Sequence, residues 1–365
     1  MDWTREQETA LTHVAQWLRR GDTPVFRLFG FAGTGKTTLA RHVAEGVDGE
    51  VAFAAFTGKA ALVMRSRGCE GASTIHSLIY RTRGEGEDGP TFALHRSGPA
   101  SKAGLIVIDE CSMVDEELGR DLLSFGKPIL VLGDPAQLPP VKGGGFFTEA
   151  EPDVMLTEIH RQAKDDPIVH LSMLVREGGR LPRGTFGESR VIGKADLATP
   201  DVIGADQVLV GLNRTRRLYN QRLRDLSGFS GPTPQAGERL VCLRNDRTKG
   251  LLNGGLWTVV EAKGEAKGFV RLDVATAEEG MARQRTRVSV LKEFFEGREE
   301  EVPFKKRRES DEFDFGYALT VHKAQGSQWD EVVLFDESYA FREHRARWLY
   351  TGLTRAARKI IVVTG

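Results

Sequence analysis

An α/β fold built on parallel sheets is predicted for this 365-residue chain by three features of its sequence. Short aliphatic runs alternate with segments of helical periodicity, the pattern of strands joined by crossover helices. A glycine-rich loop, GFAGTGKT at 30–37, fits G-x-x-x-x-G-K-[ST] and lies between one such run and one such helix. Two further apolar runs end in acidic residues, LIVIDE at 105–110 and LVLGD at 130–134. Strands of this kind deliver side chains to the carboxyl edge of an open sheet, where ligands bind.

In chain order, residues 2–20 carry Trp3, Ala10, Leu11, Val14, Trp17 and Leu18 at helical spacing, with Thr4 as N-cap. Val25–Phe29 reads as a strand, followed by the glycine loop and a helix from Thr37 to about Glu45. Val51–Ala55, Leu105–Ile108 and Ile129–Leu132 read as further strands, with helices between them. The second half continues with strands at Val208–Gly211, Glu331–Phe335 and Ile360–Val363. Asp166-Pro167 opens a helix with a cap and a proline in its first turn.

Two stretches break the alternation. Residues 81–104 are rich in Gly, Pro and charge around one apolar island at Phe92, and read as an inserted hairpin. Residues 237–312 contain β-like runs at Leu240–Leu243, Trp257–Val260, Phe269–Leu272 and Val288–Leu291, and read as a small inserted all-β module. Near its end EGREEEVPFKKRRES reads as a solvated loop, a basic contact by Lys305–Arg308 being the alternative.

The length suits two domains, each with its own core. With 40% hydrophobic and 28% charged residues the chain reads as soluble and globular. No apolar run approaches a membrane span, and the polar start MDWTREQETA lacks a signal-peptide stretch, so a cytoplasmic location is expected. Cys69, Cys111 and Cys242 are too widely spaced for a metal pattern and odd in number, so they are expected as buried apolar residues. Lys plus Arg and Asp plus Glu both total 51, so net charge gives a nucleic-acid partner no support and does not exclude one.

The chemistry-bearing residues follow from the loop. Backbone N–H groups of Gly33, Thr34, Gly35, Lys36, Thr37 and Thr38 suit the phosphates of a nucleoside triphosphate. Lys36 suits the outer phosphates and the Thr37 hydroxyl suits Mg2+. Asp109 is a second candidate for Mg2+, and Glu110 for the base that activates the attacking water. An N-cap role for this acidic pair is the alternative, which Asp115 can fill instead. Gln137, after Gly133-Asp134, is a candidate sensor of the γ-phosphate.

GFAGTGKTT, VIDECSMVD and GDPAQLPPV in this order resemble motifs I, II and III of superfamily 1B helicases, nearest to the RecD-like and Dda-like DNA helicases. Further segments resemble the remaining motifs. Gln7 in WTREQETAL matches the Q motif, which implies contact with the adenine edge. AFTGKAALVM at 55–64 resembles motif Ia, with Thr57 and Lys59 implied at DNA phosphates; relatives usually carry Pro where Phe56 stands. STIHSL at 73–78 resembles motif Ib, with Thr74 and His76 implied near the strand, against a packed His76 as the alternative. LTEIHRQ resembles motif IV and YTGLTRAARK motif VI, which makes Arg161 and Arg355 the implied arginine fingers. YALTVHKAQGSQWDEVVL resembles motif V, with Thr320, His322 and Lys323 implied at DNA and Gln325-Gly326 at the nucleotide. Many relatives have Glu where Gln328 stands, so no ribose contact is carried over to it. Asn213, Arg214 and Arg217 match a backbone grip, the alternative being a basic solvent face.

The resemblance covers nearly the whole chain. It implies two RecA-like motor domains, 1–155 and 156–365, that use ATP and Mg2+ to move 5′ to 3′ on single-stranded DNA and open forked duplex. It further implies that 81–104 is a β-hairpin pin and 237–312 a small β-barrel. Phe92 is the candidate wedge, an anchor to the core being the alternative. A monomer is expected, with single-strand-binding or replication and repair proteins as possible partners. Three other readings stay open: a single-strand translocase that strips bound proteins, an RNA motor, and a nucleotide-gated binding module with little turnover.

Overall fold

The computed structural model describes residues 3–86, 89–139, 145–158, 166–246, 248–276 and 285–365. Two compact units form, one from Met1–Glu85, Pro90–Arg180 and Ala346–Thr354, the other chiefly from Leu181–Arg345 and Arg355–Gly365. The first unit thus runs past residue 155 and takes in a helical segment from near the C-terminus. The Arg176 guanidinium stacks over the Phe31 ring at 3.7 Å, and Tyr350 bonds to Ala32 and Asp134, which ties both segments to the loop region.

In the first unit six parallel strands lie in the order Ser73–Thr74, Val51–Ala55, Leu105–Asp109, Ile129–Gly133, Val25–Gly30 and Val154–Leu156. Successive residues of a strand point to opposite faces. Leu105 and Val107 accordingly enter one core with Leu28, Leu130 and Leu132, while Ile106 and Ile108 enter the other with Phe29, Ile129 and Val131. Both faces are dry, which explains why these strands read as unbroken apolar runs. The register places Asp109 opposite Ala55 and Gly133 opposite Phe29, so the acidic ends and the glycine loop share the carboxyl edge.

The N-terminal helix, Arg5–Arg20, starts at Thr4, whose hydroxyl accepts from Gln7 N while Gln7 Oε1 accepts from Thr4 N. This reciprocal cap satisfies two donors that a helix start leaves unpaired. Ala10, Val14 and Trp17 then bury one stripe against the sheet core. Tyr80–Gly86 and Gly89–Leu94 pair as a separate two-stranded sheet.

The second unit holds another six-stranded sheet: Ala318–Thr320, Gln207–Val210, Trp329–Phe335, Ala356–Thr364, Ser189–Gly193 and Gly184–Phe186. All neighbours are parallel except the last pair. Between Gln207–Val210 and Ala318–Thr320 the chain builds a five-stranded antiparallel sheet, with strands Arg285–Leu291, Phe269–Thr276, Leu256–Ala266, Arg239–Cys242 and Phe313–Phe315 in that spatial order. It has its own core of Leu240, Trp257, Leu272, Val288 and Phe313. A buried fork from Arg224 to Glu238, at 2.6 and 3.0 Å, ties the helix Asn213–Leu226 to the start of this sheet. Cys69, Cys111 and Cys242 are buried and none forms a disulfide. No helix among the described residues is long and apolar enough to cross a membrane.

Candidate nucleotide and nucleic-acid site

The glycine loop joins the strand Val25–Gly30 to the helix Lys36–Glu45. Gly33 and Gly35 adopt φ of 81° and 83°, a left-handed conformation that side-chain-bearing residues rarely take. These two turns bring the chain round so that the helix begins with its unpaired N–H groups at the loop, the arrangement that favours anions. Lys36 Nζ donates to the carbonyls of Gly30 at 2.6 Å and Phe31 at 3.0 Å, so the ammonium spans the loop it serves. Thr34 is buried, its hydroxyl bonded to Phe31 O and its carbonyl accepting from Gln7 Nε2 at 3.0 Å. Gln7 therefore spends its amide on the helix cap and on the loop, and the structure ties the residue expected at the adenine edge to the loop's own backbone. Thr38 lies half-buried in the first turn of the helix.

Asp109 ends its strand with Oδ2 accepting from the Thr37 hydroxyl at 3.0 Å, while Oδ1 accepts from Glu110 N at 2.8 Å. Glu110 sits at φ 54°, ψ 44°. A non-glycine residue in this region carries strain of order 1–3 kcal/mol, of the kind that gathers at functional sites. Here it turns the Glu110 side chain out of the strand's alternation. Asp115 caps the next helix through Leu118 N, so the 109–110 pair is free of capping duty, as the sequence suggests. Thr37 and Asp109 are the donor set for a hard, oxygen-loving cation. Mg2+ characteristically takes one or two carboxylate or hydroxyl ligands and completes its shell with phosphate and water oxygens. Beside the pair, burial and the two carboxylates push the Cys111 thiol up, which keeps it uncharged.

Gln137 lies on the turn after Ile129–Gly133 and is buried, yet its Oε1 has no hydrogen-bond partner among the described residues. An orphaned buried acceptor costs about 1–3 kcal/mol, and it stands on the loop that follows the strand next to Val25–Gly30. An acceptor held this way suits an attacking water or another donor at a bound γ-phosphate.

The nucleic-acid candidates fall into two groups. In the first unit Thr57 and Thr74 spend their hydroxyls as N-caps, on Ala60 N and Ser77 N. Lys59 is 7% exposed and has bonding partners of its own. His76 is exposed, with its ring 6.2 Å from Phe56 and 5.6 Å from Tyr80. Phe92 is 60% exposed on the two-stranded sheet, 6.3 Å from the Tyr80 ring. In the second unit Asn213 and Arg214 open their helix exposed, just past the strand Gln207–Val210. Thr320 Oγ1 accepts from Lys323 N and fixes the turn that carries His322, whose ring lies 5.3 Å from Phe341. Desolvation and the nearby Arg216 lower the Lys323 ammonium pKa, against Asp314 and Glu299. Glu337 anchors this edge: it accepts from Gly211 N, Leu212 N and the Thr215 hydroxyl. Since the strands ending at Val210 and Thr320 are parallel neighbours, Asn213, Arg214, His322 and Lys323 share one sheet edge.

Arg355 is 5% exposed and donates to Ser327 O at 3.1 Å, beside Gly326, which takes φ 71°. Arg161 lies outside the described residues. Asp134, Tyr350, Thr351 and Glu337 make bonds that the sequence does not announce, although the first three sit inside the quoted motifs. A motif string does not say which of its members bond to another motif.

A family described as AAA domain matches residues 2–186, and one described as UvrD-like helicase C-terminal domain matches residues 315–363. The ATP-dependent RecD2 DNA helicase of Deinococcus radiodurans is 31% identical over 90% of this chain and 45% of that protein. The ATP-dependent DNA helicase dda of Enterobacteria phage T4 is 30% identical over 48% of this chain and 43% of its own. The chain spans less than half the length of these curated relatives. Among solved structures, the Pif1 helicase of Candida albicans superposes with a TM-score of 0.57 at 18% identity, covering 100% of this chain and 95% of the other, a likeness of fold.

Proposed function

Because the chain belongs to the AAA-domain family and to the RecD-like and Dda-like helicases of superfamily 1B, we propose that it is an ATP-dependent DNA helicase. It moves 5′ to 3′ along single-stranded DNA and separates duplex. The observation that carries this reading is the convergence at one sheet edge of a phosphate loop with Lys36, the bonded pair Thr37–Asp109, Glu110 in its left-handed turn and Gln137, whose buried Oε1 has no partner among the described residues. Those parts suit a hydrolytic cycle rather than passive nucleotide binding.

In this reading the loop N–H groups and Lys36 bind the phosphates of ATP, and Thr37 and Asp109 hold Mg2+. When bound, that ion neutralises charge on the transferring phosphoryl group. Glu110 takes the proton of the attacking water, Gln137 orients that water, and Arg161 and Arg355 supply the remaining positive charge. Thr57, Lys59, Thr74 and His76 form one strand contact, and Asn213, Arg214, Thr320, His322 and Lys323 a second. The Thr57 hydroxyl accepts from Ala60 N and keeps its own proton for a phosphate oxygen. The two compact units serve as the motor domains expected at 1–155 and 156–365, the first of them reaching Arg180 and including Ala346–Thr354, with 81–104 as the pin and 237–312 as a small barrel. Opening a base pair costs about 1–2 kcal/mol in stacking, well within one hydrolysis event.

Phe92 is the residue proposed to meet the terminal base pair. Phe92→Ala is expected to slow unwinding of a 5′-tailed fork several-fold while DNA-stimulated hydrolysis stays within about twofold, since base stacking on an aromatic ring is worth about 1–3 kcal/mol. A fork assay run beside a hydrolysis assay decides it, and unchanged unwinding removes Phe92 from the wedge role.

The function itself is tested by ATP hydrolysis with and without a single-stranded DNA oligonucleotide, with RNA of the same sequence alongside. Strong stimulation by DNA is the expected result. Stimulation by RNA alone changes the substrate, and stimulation by neither overturns the motor reading.

A further inference from the structure

Two consecutive side chains that the reaction scheme above does not use are bonded to its moving parts. Tyr350 and Thr351 lie on the helix Arg345–Leu353, both fully buried and within the first unit. The Tyr350 hydroxyl donates to Asp134 Oδ2 at 2.7 Å and accepts from Ala32 N at 3.0 Å. Ala32 is the third residue of the phosphate loop, so this bond fixes the loop just before the two left-handed glycines. Asp134 in turn shapes the Gln137 turn: its Oδ1 accepts from Ala136 N, and its carbonyl accepts from Gln137 N. On the far side, Leu138 N donates to Thr351 Oγ1 at 2.9 Å, and that hydroxyl spends its own proton on Arg347 O at 2.7 Å. The turn is therefore pinned at Asp134 and at Leu138, on both sides of Gln137, by neighbouring residues of one helix.

Burial and the adjacent Asp134 carboxylate raise the Tyr350 phenol well above its ordinary pKa, so it remains a donor throughout the working pH range. A tyrosine with both hydroxyl functions engaged in a dry site has one geometry. So has a threonine whose hydroxyl bonds within its own helix and accepts from outside. Gln137, held between them, keeps a buried acceptor with no partner among the described residues.

We propose that Tyr350 and Thr351 are positioning residues for hydrolysis: together they set the orientation of Gln137, and Tyr350 also sets the phosphate loop. The assignment rests on the nucleotide-hydrolysing reading above. The sequence runs from this pair to Arg355 within four residues of Thr351. The helix that fixes the sensor turn therefore also leads into the implied arginine finger.

A double-mutant cycle tests it. Tyr350→Phe and Thr351→Val each remove one hydroxyl at nearly constant volume, and each is expected to lower kcat for ATP hydrolysis by about tenfold. Thr351→Val leaves KM for ATP unchanged, whereas Tyr350→Phe raises it through Ala32. Thr351→Ser, which keeps the hydroxyl, restores kcat. In a Gln137→Ala background Thr351→Val, which acts only through the Gln137 turn, changes the residual kcat by less than about twofold, and Tyr350→Phe loses less than in the wild type because only its loop route through Ala32 remains. Equal fractional losses in both backgrounds, or an unchanged kcat in Tyr350→Phe, overturn the proposal, and a merely structural role predicts the former. The cycle is run with and without single-stranded DNA. A wild-type rate that DNA does not stimulate counts against the strand-driven motor and leaves the cycle measurable on the basal rate.

Discussion

Lys36→Ala abolishes ATP hydrolysis and spares binding to single-stranded DNA. The loss is expected on the order of 10²–10³-fold in kcat, the effect of removing one preorganised charge donor from a developing phosphoryl transition state. Lys36 acts twice in this structure. Its ammonium is the proposed partner of the outer phosphates, and it also bonds the Gly30 and Phe31 carbonyls at 2.6 and 3.0 Å. Alanine leaves two carbonyls of the loop facing each other without the cation, so weaker nucleotide binding accompanies the slower rate. Lys36 bonds to the Gly30 and Phe31 carbonyls of its own loop, and anisotropy with a labelled oligonucleotide should give an affinity within about twofold of wild type. Hydrolysis and DNA affinity lost together would mean that the loop supports the strand-binding surface and that the roles are wrongly divided.

Glu110→Gln separates binding from chemistry. Glutamine keeps the length and the polarity of the side chain and cannot take a proton. The rate should fall by about 10²–10⁴-fold, the usual contribution of a positioned general base. Nucleotide affinity, measured with a fluorescent ATP analogue, should hold. The bond from Glu110 N to Asp109 Oδ1, which helps hold the left-handed backbone at Glu110, is untouched by the substitution. Asp109→Asn is the contrasting variant: it weakens the Thr37–Asp109 pair and should raise the Mg2+ concentration needed for half-maximal rate. A Glu110→Gln enzyme that keeps more than a tenth of the wild-type rate would move the base elsewhere.

Much of this architecture follows from local chemistry and is therefore legible in the sequence. The runs LIVI at 105–108 and ILVLG at 129–133 are apolar at every position because both faces of their sheet are covered, and a run of that kind has few other ways to fold. Thr4, Asp115 and Asp166 cap the helices that their positions announce, since a cap bonds only two or three residues along. Gly33 and Gly35 take positive φ because the loop needs it. The resemblance of the ordered motifs to superfamily 1B helicases agrees with the matched AAA and helicase C-terminal families.

What required the tertiary structure is which motif bonds to which. Gln7 reads as a ligand residue by its motif, and the fold gives its amide to Thr4 and Thr34, because the helix start packs against the loop. Thr57 reads as a phosphate contact and Thr74 as a residue near the strand, and in the fold both hydroxyls also cap helices, accepting from Ala60 N and Ser77 N. Tyr350 lies 318 residues from Ala32 and 216 from Asp134, and no local rule acts over such separations. The sequence by itself determined the elements, the phosphate loop and the acidic strand end, for these depend on neighbours a few residues away. Only the folded chain decided that the Tyr350–Thr351 helix grips the loop and the Gln137 turn, because packing rather than sequence proximity chooses the partners of a buried hydroxyl.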